Sequence, residues 1–179
     1  MNRAPMLLAV ALLPVLAQRT GPSRDDILHL ARTLNDRLLR AHVESPYNIL
    51  SYPQGFYLDG FGAIFAVELS LTTTPGVSPF RPAFTAEEKE RIRAAKLQRL
   101  PALKLFLRDF LVTSAANLDR LPDSEQLVVG VTLFYHDWES RNGLPQQLIM
   151  QSAKRPLVEV AANRADRSTL DKLVKVREF

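Results

Sequence analysis

The chain has 179 residues, of which 23 are Lys or Arg and 19 are Asp or Glu, and it contains no cysteine. The absence of cysteine excludes disulfides, a thiol nucleophile and the lipid attachment that a bacterial lipoprotein requires. The net charge of +4 is dispersed among acidic residues and forms no dense basic stripe, so we expect no nucleic-acid partner.

The N-terminal residues 1–17 have the layout of a secretory signal peptide. Arg3 gives a positive start, residues 6–16 are apolar, and Val15-Leu16-Ala17 provides compact residues for a signal peptidase. The apolar run is shorter than the roughly 20 residues that span a bilayer. We therefore expect cleavage after Ala17, a mature chain that starts at Gln18 and has no transmembrane segment, and a periplasmic or extracellular location. The alternative is an uncleaved N-terminal anchor.

Residues 18–179 are predicted to form a single α+β domain. We expect the protein to be of bacterial type, since the chain has neither cysteine nor an Asn-x-Ser/Thr glycosylation site. A helix is expected after Ser23, because Ser23 and Asp26 have the spacing of a capping box and apolar residues follow at helical intervals. Two strands are expected next, at 47–52 and 56–71, with a turn at Pro53-Gln54-Gly55. One face of the longer strand is almost wholly apolar and should meet the core.

The sequence Asp59-Gly60-Phe61-Gly62 is glycine-rich, but it does not match a phosphate-binding loop. Such a loop needs a third glycine and a helix directly after it, whereas here the strand pattern continues. The glycines therefore predict a bulge or a close backbone contact. Asp59 lies on the otherwise apolar face, so it must be either exposed at the strand start or buried with a partner.

The second half of the chain begins with a long helix. Thr85 and Glu88 form a capping box, and the apolar spacing continues to Leu118, with Pro101 predicting a kink or a break. A strand is expected at 126–138, a tight hairpin at Asn142-Gly143, and a returning strand at 146–152. Two short helices are expected to follow, one from 154 and one after Ser168.

The predicted order of elements is α-β-β-α-β-β-α. Two hairpins with intervening helices predict a single antiparallel sheet of about four strands, with the helices packed on one face.

Catalytic residue types cluster in one place, His136-Asp137-Trp138-Glu139. In a strand, His136 and Asp137 would point to opposite faces, so a metal site would need help from elsewhere, such as Asp59 or Glu68. The chain has no cysteine and no Gly-x-Ser-x-Gly nucleophile motif.

These features favour an exported, non-catalytic binding or cell-envelope interaction module with a protein or peptide partner and no cofactor or metal. The alternative is a small hydrolase or metal-dependent enzyme with a site near Asp59, His136 and Asp137. The arrangement of these three side chains in space distinguishes the two hypotheses.

Overall fold

The computed structural model describes residues 21–41, 46–74 and 83–179. The predicted signal peptide and its cleavage site lie outside the described residues. The described chain has an α+β fold, as predicted, with four α-helices and five strands. In chain order the elements are α1 Arg24–Arg40, β1 Asn48–Leu58, β2 Gly62–Ser70, α2 Ala86–Asn117, β3 Gln126–Leu133, β4 Gln147–Ala153, α3 Lys154–Ala161, a 3₁₀ turn Arg167–Thr169, α4 Leu170–Leu173 and β5 Lys175–Glu178.

The five strands form one sheet in the order β1-β2-β3-β4-β5. The prediction of a purely antiparallel sheet of about four strands was wrong, because β2 and β3 are parallel, from Gly62 beside Gln126 to Leu69 beside Leu133. The other three pairs are antiparallel. The long helix α2 lies between β2 and β3 in the chain. It returns the chain to the end of the sheet at which β2 begins, so β3 runs in the same direction as β2.

The first hairpin turns later than predicted. β1 continues through Pro53, with a register shift between Ser51 and Gln54, and the turn lies at 59–61. Gly60 has a φ of 76°, which favours glycine in the turn. Gly62 lies so close to β3 that a Cβ atom there would be 1.9 Å from the Gln126 carbonyl oxygen. This close backbone contact agrees with the prediction for Gly62, whereas a Cβ atom at Gly60 would meet nothing within 4 Å.

The second half differs from the prediction at its strand ends. β3 ends at Leu133, five residues before the predicted end, and β4 begins at Gln147, so the connection is an extended loop instead of a tight hairpin. The last helix is one turn long, and β5 follows it and pairs with β4. β5 has only four residues and no apolar alternation beyond Val176, which is why its pattern was missed.

Both long helices start where their capping boxes predicted. Ser23 caps α1 with Asp26, and Thr85 caps α2 with Glu88. α2 is a single continuous helix of 32 residues that contains Pro101.

The core lies between these helices and one face of the sheet. Phe65 of β2 and Phe110 of α2 are fully buried, with ring centroids 5.4 Å apart and edge-to-face geometry. The side chains of Ala63, Phe65, Val67 and Leu69 all join this core, as predicted from their alternation. The alternate side chains Ile64 and Ala66 face the opposite side of the sheet, outside the core cluster.

Candidate functional site

Asp59 lies in the β1–β2 turn and is exposed. Its carboxylate oxygen Oδ1 lies 3.3 Å from the hydroxyl of Tyr57, and the same hydroxyl lies 3.2 Å from Glu125 Oε1. The backbone N–H of Gly60 also donates to Glu125 Oε1, at 3.1 Å. Glu125 was not expected from the sequence, because it precedes β3 and lies far along the chain from the turn.

Glu125 is nearly withdrawn from water, and Tyr57 beside it is partly buried. Glu125 is 8% exposed, and its second oxygen, Oε2, is buried and accepts no hydrogen bond from the described residues. Desolvation of the Tyr57 phenol, reinforced by the carboxylates of Glu125 and Asp59, raises the pKa of Tyr57 to about 12. The phenol stays protonated at neutral pH, and its single O–H lies within hydrogen-bond reach of both carboxylates.

His136 and Asp137 lie at the other end of the sheet. Asp59 precedes the first residue of β2, whereas His136 follows the last residue of β3, and these two strands run parallel for eight residue pairs. At roughly 3.3 Å per residue, the strands separate the two ends by about 23 Å. The structure therefore brings His136 and Asp137 to one end of the sheet and does not bring Asp59 to them.

The imidazole of His136 takes part in a row of aromatic rings. The ring of Trp138 is nearly parallel to that of His136, with centroids 5.3 Å apart, and the ring of Phe84 also stacks on Trp138 at 4.3 Å. The ring of Phe134 meets His136 edge-on at 5.1 Å. Asp137 is exposed, and the described residues contain no group of three or more acidic, His or Cys side chains placed to hold a metal ion.

Glu139, the last residue of the cluster, has a structural partner that the sequence reading did not identify. Its Oε2 lies 2.5 Å from Lys96 Nζ, and the two side chains are 3% and 0% exposed. The second oxygen accepts a 3.3 Å hydrogen bond from the His136 backbone N–H, and the Lys96 ammonium lies 4.9 Å from the ring centroid of Tyr135. Lys96 interrupts the apolar stripe of α2 four residues before Leu100, and this is the sequence signal that could have found it. The pair fastens the loop after β3 to α2.

A different kind of site lies on β1. Of the eight large apolar side chains that are exposed in the described part of the chain, five lie between residues 50 and 61. We call these five the β1 patch: Leu50, Tyr52, Phe56, Leu58 and Phe61, which are 41–51% exposed. β1 is an edge strand of 11 residues and none of them is charged.

The β1 patch continues onto the open face of the sheet. Phe56 pairs with Ile64 of β2, which is partly exposed, and Ile64 pairs with Val128 of β3, which is buried, so the accessible apolar row ends at β2. The free edge of β1 is less continuous than the face. Pro53 has no backbone N–H to donate, and the adjacent register shift breaks the regular ladder. The surface therefore offers side-chain contacts more readily than a full-length strand edge.

None of the helices in residues 21–41, 46–74 and 83–179 combines the length and the apolar character needed to cross a bilayer. Comparisons with protein-family models, with curated proteins and with solved structures found no match.

Proposed function

We propose that this chain is an exported, non-catalytic binding module and that its β1 patch docks a protein or peptide partner. The observation that carries the proposal is the concentration of five exposed large apolar side chains on one edge strand and its turn. Single exposed apolar residues are ordinary on protein surfaces, but neighbouring ones on one face, as Phe56, Leu58 and Ile64 are, are typical of interaction sites.

The energetics of the β1 patch favour a docking role. Complete burial of a side chain such as Leu or Phe stabilises by about 1.5–3 kcal/mol, and those of Phe56 and Leu58 are about half exposed (47% and 51%). A partner that covered several of them would gain several kcal/mol before the entropic costs of association. While these side chains stay exposed, they add little to the stability of the folded chain.

The proposed docking mode uses side chains on the open face of β1 and β2. Strand addition along all of β1 is opposed by Pro53 and by the register shift beside it. The row that joins Phe56 to Ile64 gives a partner a continuous apolar surface beyond the edge.

Two side chains of the cluster at 136–139 support this proposal because they are engaged in contacts within the fold. Glu139 is paired with Lys96, and His136 is stacked on Trp138 and meets Phe134 edge-on. An acid–base pair must converge on one reacting group, and the length of β2 and β3 separates Asp59 from His136.

The test is a binding screen with matched variants. The purified protein is probed against an immobilised library of 12-residue peptides, and positive peptides are measured by fluorescence anisotropy. The double variant Phe56→Ser/Leu58→Ser should abolish binding. The control is Leu105→Ser, which removes a 64%-exposed leucine from α2 and should leave binding intact. Undiminished binding by the folded double variant, or the absence of any selected peptide, contradicts the proposal.

A further inference from the structure

We infer that the segment that docks on the β1 patch is a basic, apolar one, with Lys or Arg placed beside its apolar side chains. The inference rests on the proposed function and adds the chemistry of the partner. The charges around the β1 patch carry it. Residues 46–74 contain two acidic residues, Asp59 and Glu68, and no Lys or Arg, although the whole chain has a net charge of +4.

The two carboxylates mark the two ends of the apolar surface. Glu68 lies four residues after Ile64 on β2, so it faces the same side of the sheet as Ile64 and Phe56, and it pairs with Ser51 near the start of β1. Asp59 directly follows Leu58 at the other end. Because of the register shift, the stretch of β1 from Ser51 to Leu58 pairs with β2 from Glu68 to Gly62, six residue steps that are about 20 Å long at 3.3 Å per residue. An extended segment of about seven residues, with apolar side chains in the middle and cations at its ends, matches this spacing.

Both carboxylates are available to a partner. Within the described residues, neither Asp59 nor Glu68 forms a salt bridge, whereas Asp109, Glu139, Glu159 and Asp171 are each paired with a Lys or Arg. The contact of Asp59 is the 3.3 Å approach of the Tyr57 hydroxyl, which leaves its charge uncompensated.

Glu125 reinforces the negative potential at the Asp59 end. It lies behind the turn, joined to Asp59 through the shared Tyr57 hydroxyl, and its Oε2 has no donor among the described residues. Charges near a poorly hydrated region are screened less than charges in open water, so the field at the turn favours a cation. A Lys or Arg beside an apolar side chain that contacts Leu58 would meet this field.

The same charges oppose two other occupants. An anionic membrane surface would be repelled by Asp59 and Glu68. A second copy docked symmetrically, patch against patch, would bring like carboxylates together without a compensating Lys or Arg.

The experiment uses three fluorescent peptides of equal length that share the same central apolar residues and carry Lys, Gln or Glu at both ends. Anisotropy is measured with the purified protein at low and high salt. We expect the Lys peptide to bind about three- to tenfold more tightly than the Gln peptide, which lies within the range that two exposed ion pairs give. High salt should remove this difference. The Glu peptide should bind most weakly.

Two double variants with the same change in net charge distinguish the effect of the carboxylates beside the β1 patch from the effect of the protein's net charge. Asp59→Asn/Glu68→Gln should reduce the affinity for the Lys peptide to that for the Gln peptide, with the Gln peptide unaffected. Asp36→Asn/Glu87→Gln, which neutralises two exposed acids on α1 and α2, should retain the preference.

Each contrary result has a distinct meaning. Equal binding of the Lys and Gln peptides, abolished by Phe56→Ser/Leu58→Ser, overturns the charge inference and leaves the proposed function standing. Binding that survives Phe56→Ser/Leu58→Ser overturns both. Two further results overturn the inference: a dimer seen by sedimentation, or binding to vesicles of phosphatidylglycerol, when either is abolished by Phe56→Ser/Leu58→Ser. In both cases the β1 patch has another occupant.

Discussion

Lys96 and Glu139 form a salt bridge that is almost completely withdrawn from water. Nζ and Oε2 lie 2.5 Å apart, and the side chains are 0% and 3% exposed. Breaking such a pair on one side leaves an uncompensated buried charge.

We expect Lys96→Met to lower the free energy of unfolding by about 3–5 kcal/mol, since the carboxylate of Glu139 would remain buried without its cation. The double variant Lys96→Met/Glu139→Gln should cost less than the sum of the two single changes, because it removes both charges. Urea denaturation gives the three values. An unchanged midpoint for Lys96→Met would show that the pair is open to solvent.

Phe65 and Phe110 test the core, because their edge-to-face contact joins the sheet to α2. Phe65→Ala and Phe110→Ala should each destabilise the protein by about 3–5 kcal/mol, the usual range for a buried aromatic side chain. Phe61→Ala changes an exposed ring in the β1–β2 turn and serves as the control. If the two core variants unfold at the midpoint of the unchanged protein, the inner faces of β2 and α2 have been assigned incorrectly.

The raised pKa of the Tyr57 phenol predicts a loss of stability at alkaline pH. Its pKa is about 12 in the folded protein, against an ordinary value of 10.0, so folding favours the protonated form. The stabilisation is complete below pH 10 and is lost as the pH rises from 10 towards 12. Tyr57→Phe should flatten this part of the stability curve, whereas Tyr52→Phe on the same strand should not. If the free energy of unfolding falls equally between pH 10 and 12 in the unchanged protein and in both variants, the raised pKa of Tyr57 is contradicted.

The separation of Asp59 from His136 predicts that no reaction depends on both. Purified protein should be assayed with ester, phosphate, peptide and glycoside substrates, with and without zinc or magnesium. We expect no turnover that is lost in both Asp59→Asn and His136→Ala. We also expect none that is lost in Asp137→Asn. A rate that disappears in these variants, each shown to be folded by circular dichroism, would establish the enzyme hypothesis.

The N-terminal pattern predicts processing. Protein recovered from the periplasm of an exporting bacterial host should begin at or near Gln18, since Val15-Leu16-Ala17 has the residues that a signal peptidase recognises. Intact mass and N-terminal sequencing give the answer directly. A cytoplasmic protein that retains Met1 would refute export, and a membrane-bound protein that retains it would indicate an anchor.

Local sequence rules were sufficient for several elements. The capping boxes at Ser23 and Thr85 predicted where α1 and α2 begin, because a cap depends on a side chain and a backbone group three residues apart. The two-residue alternation around Phe65 predicted the inner face of β2. The α+β class follows from these local patterns together with the lengths of the segments.

The candidate surface was only partly visible in the sequence. The uncharged, aromatic stretch around Tyr52 indicated a strand, but its exposure depends on β1 being the edge of the sheet. Likewise Asp59 stood out as an acid on an apolar face, but its connection to Glu125 through Tyr57 spans 68 residues of sequence. Lys96 and Glu139 are separated by 43 residues.

The sequence by itself determined the helix starts, the inner sheet face and the class of the fold, since each depends on contacts between residues close together in the chain. The tertiary structure decided the parallel pairing of β2 with β3, the addition of β5 and the separation of Asp59 from His136. Strand pairing joins residues that are distant in sequence, and alternation along one strand carries no information about its neighbour or its direction. For the same reason only the assembled sheet shows which apolar strand remains uncovered.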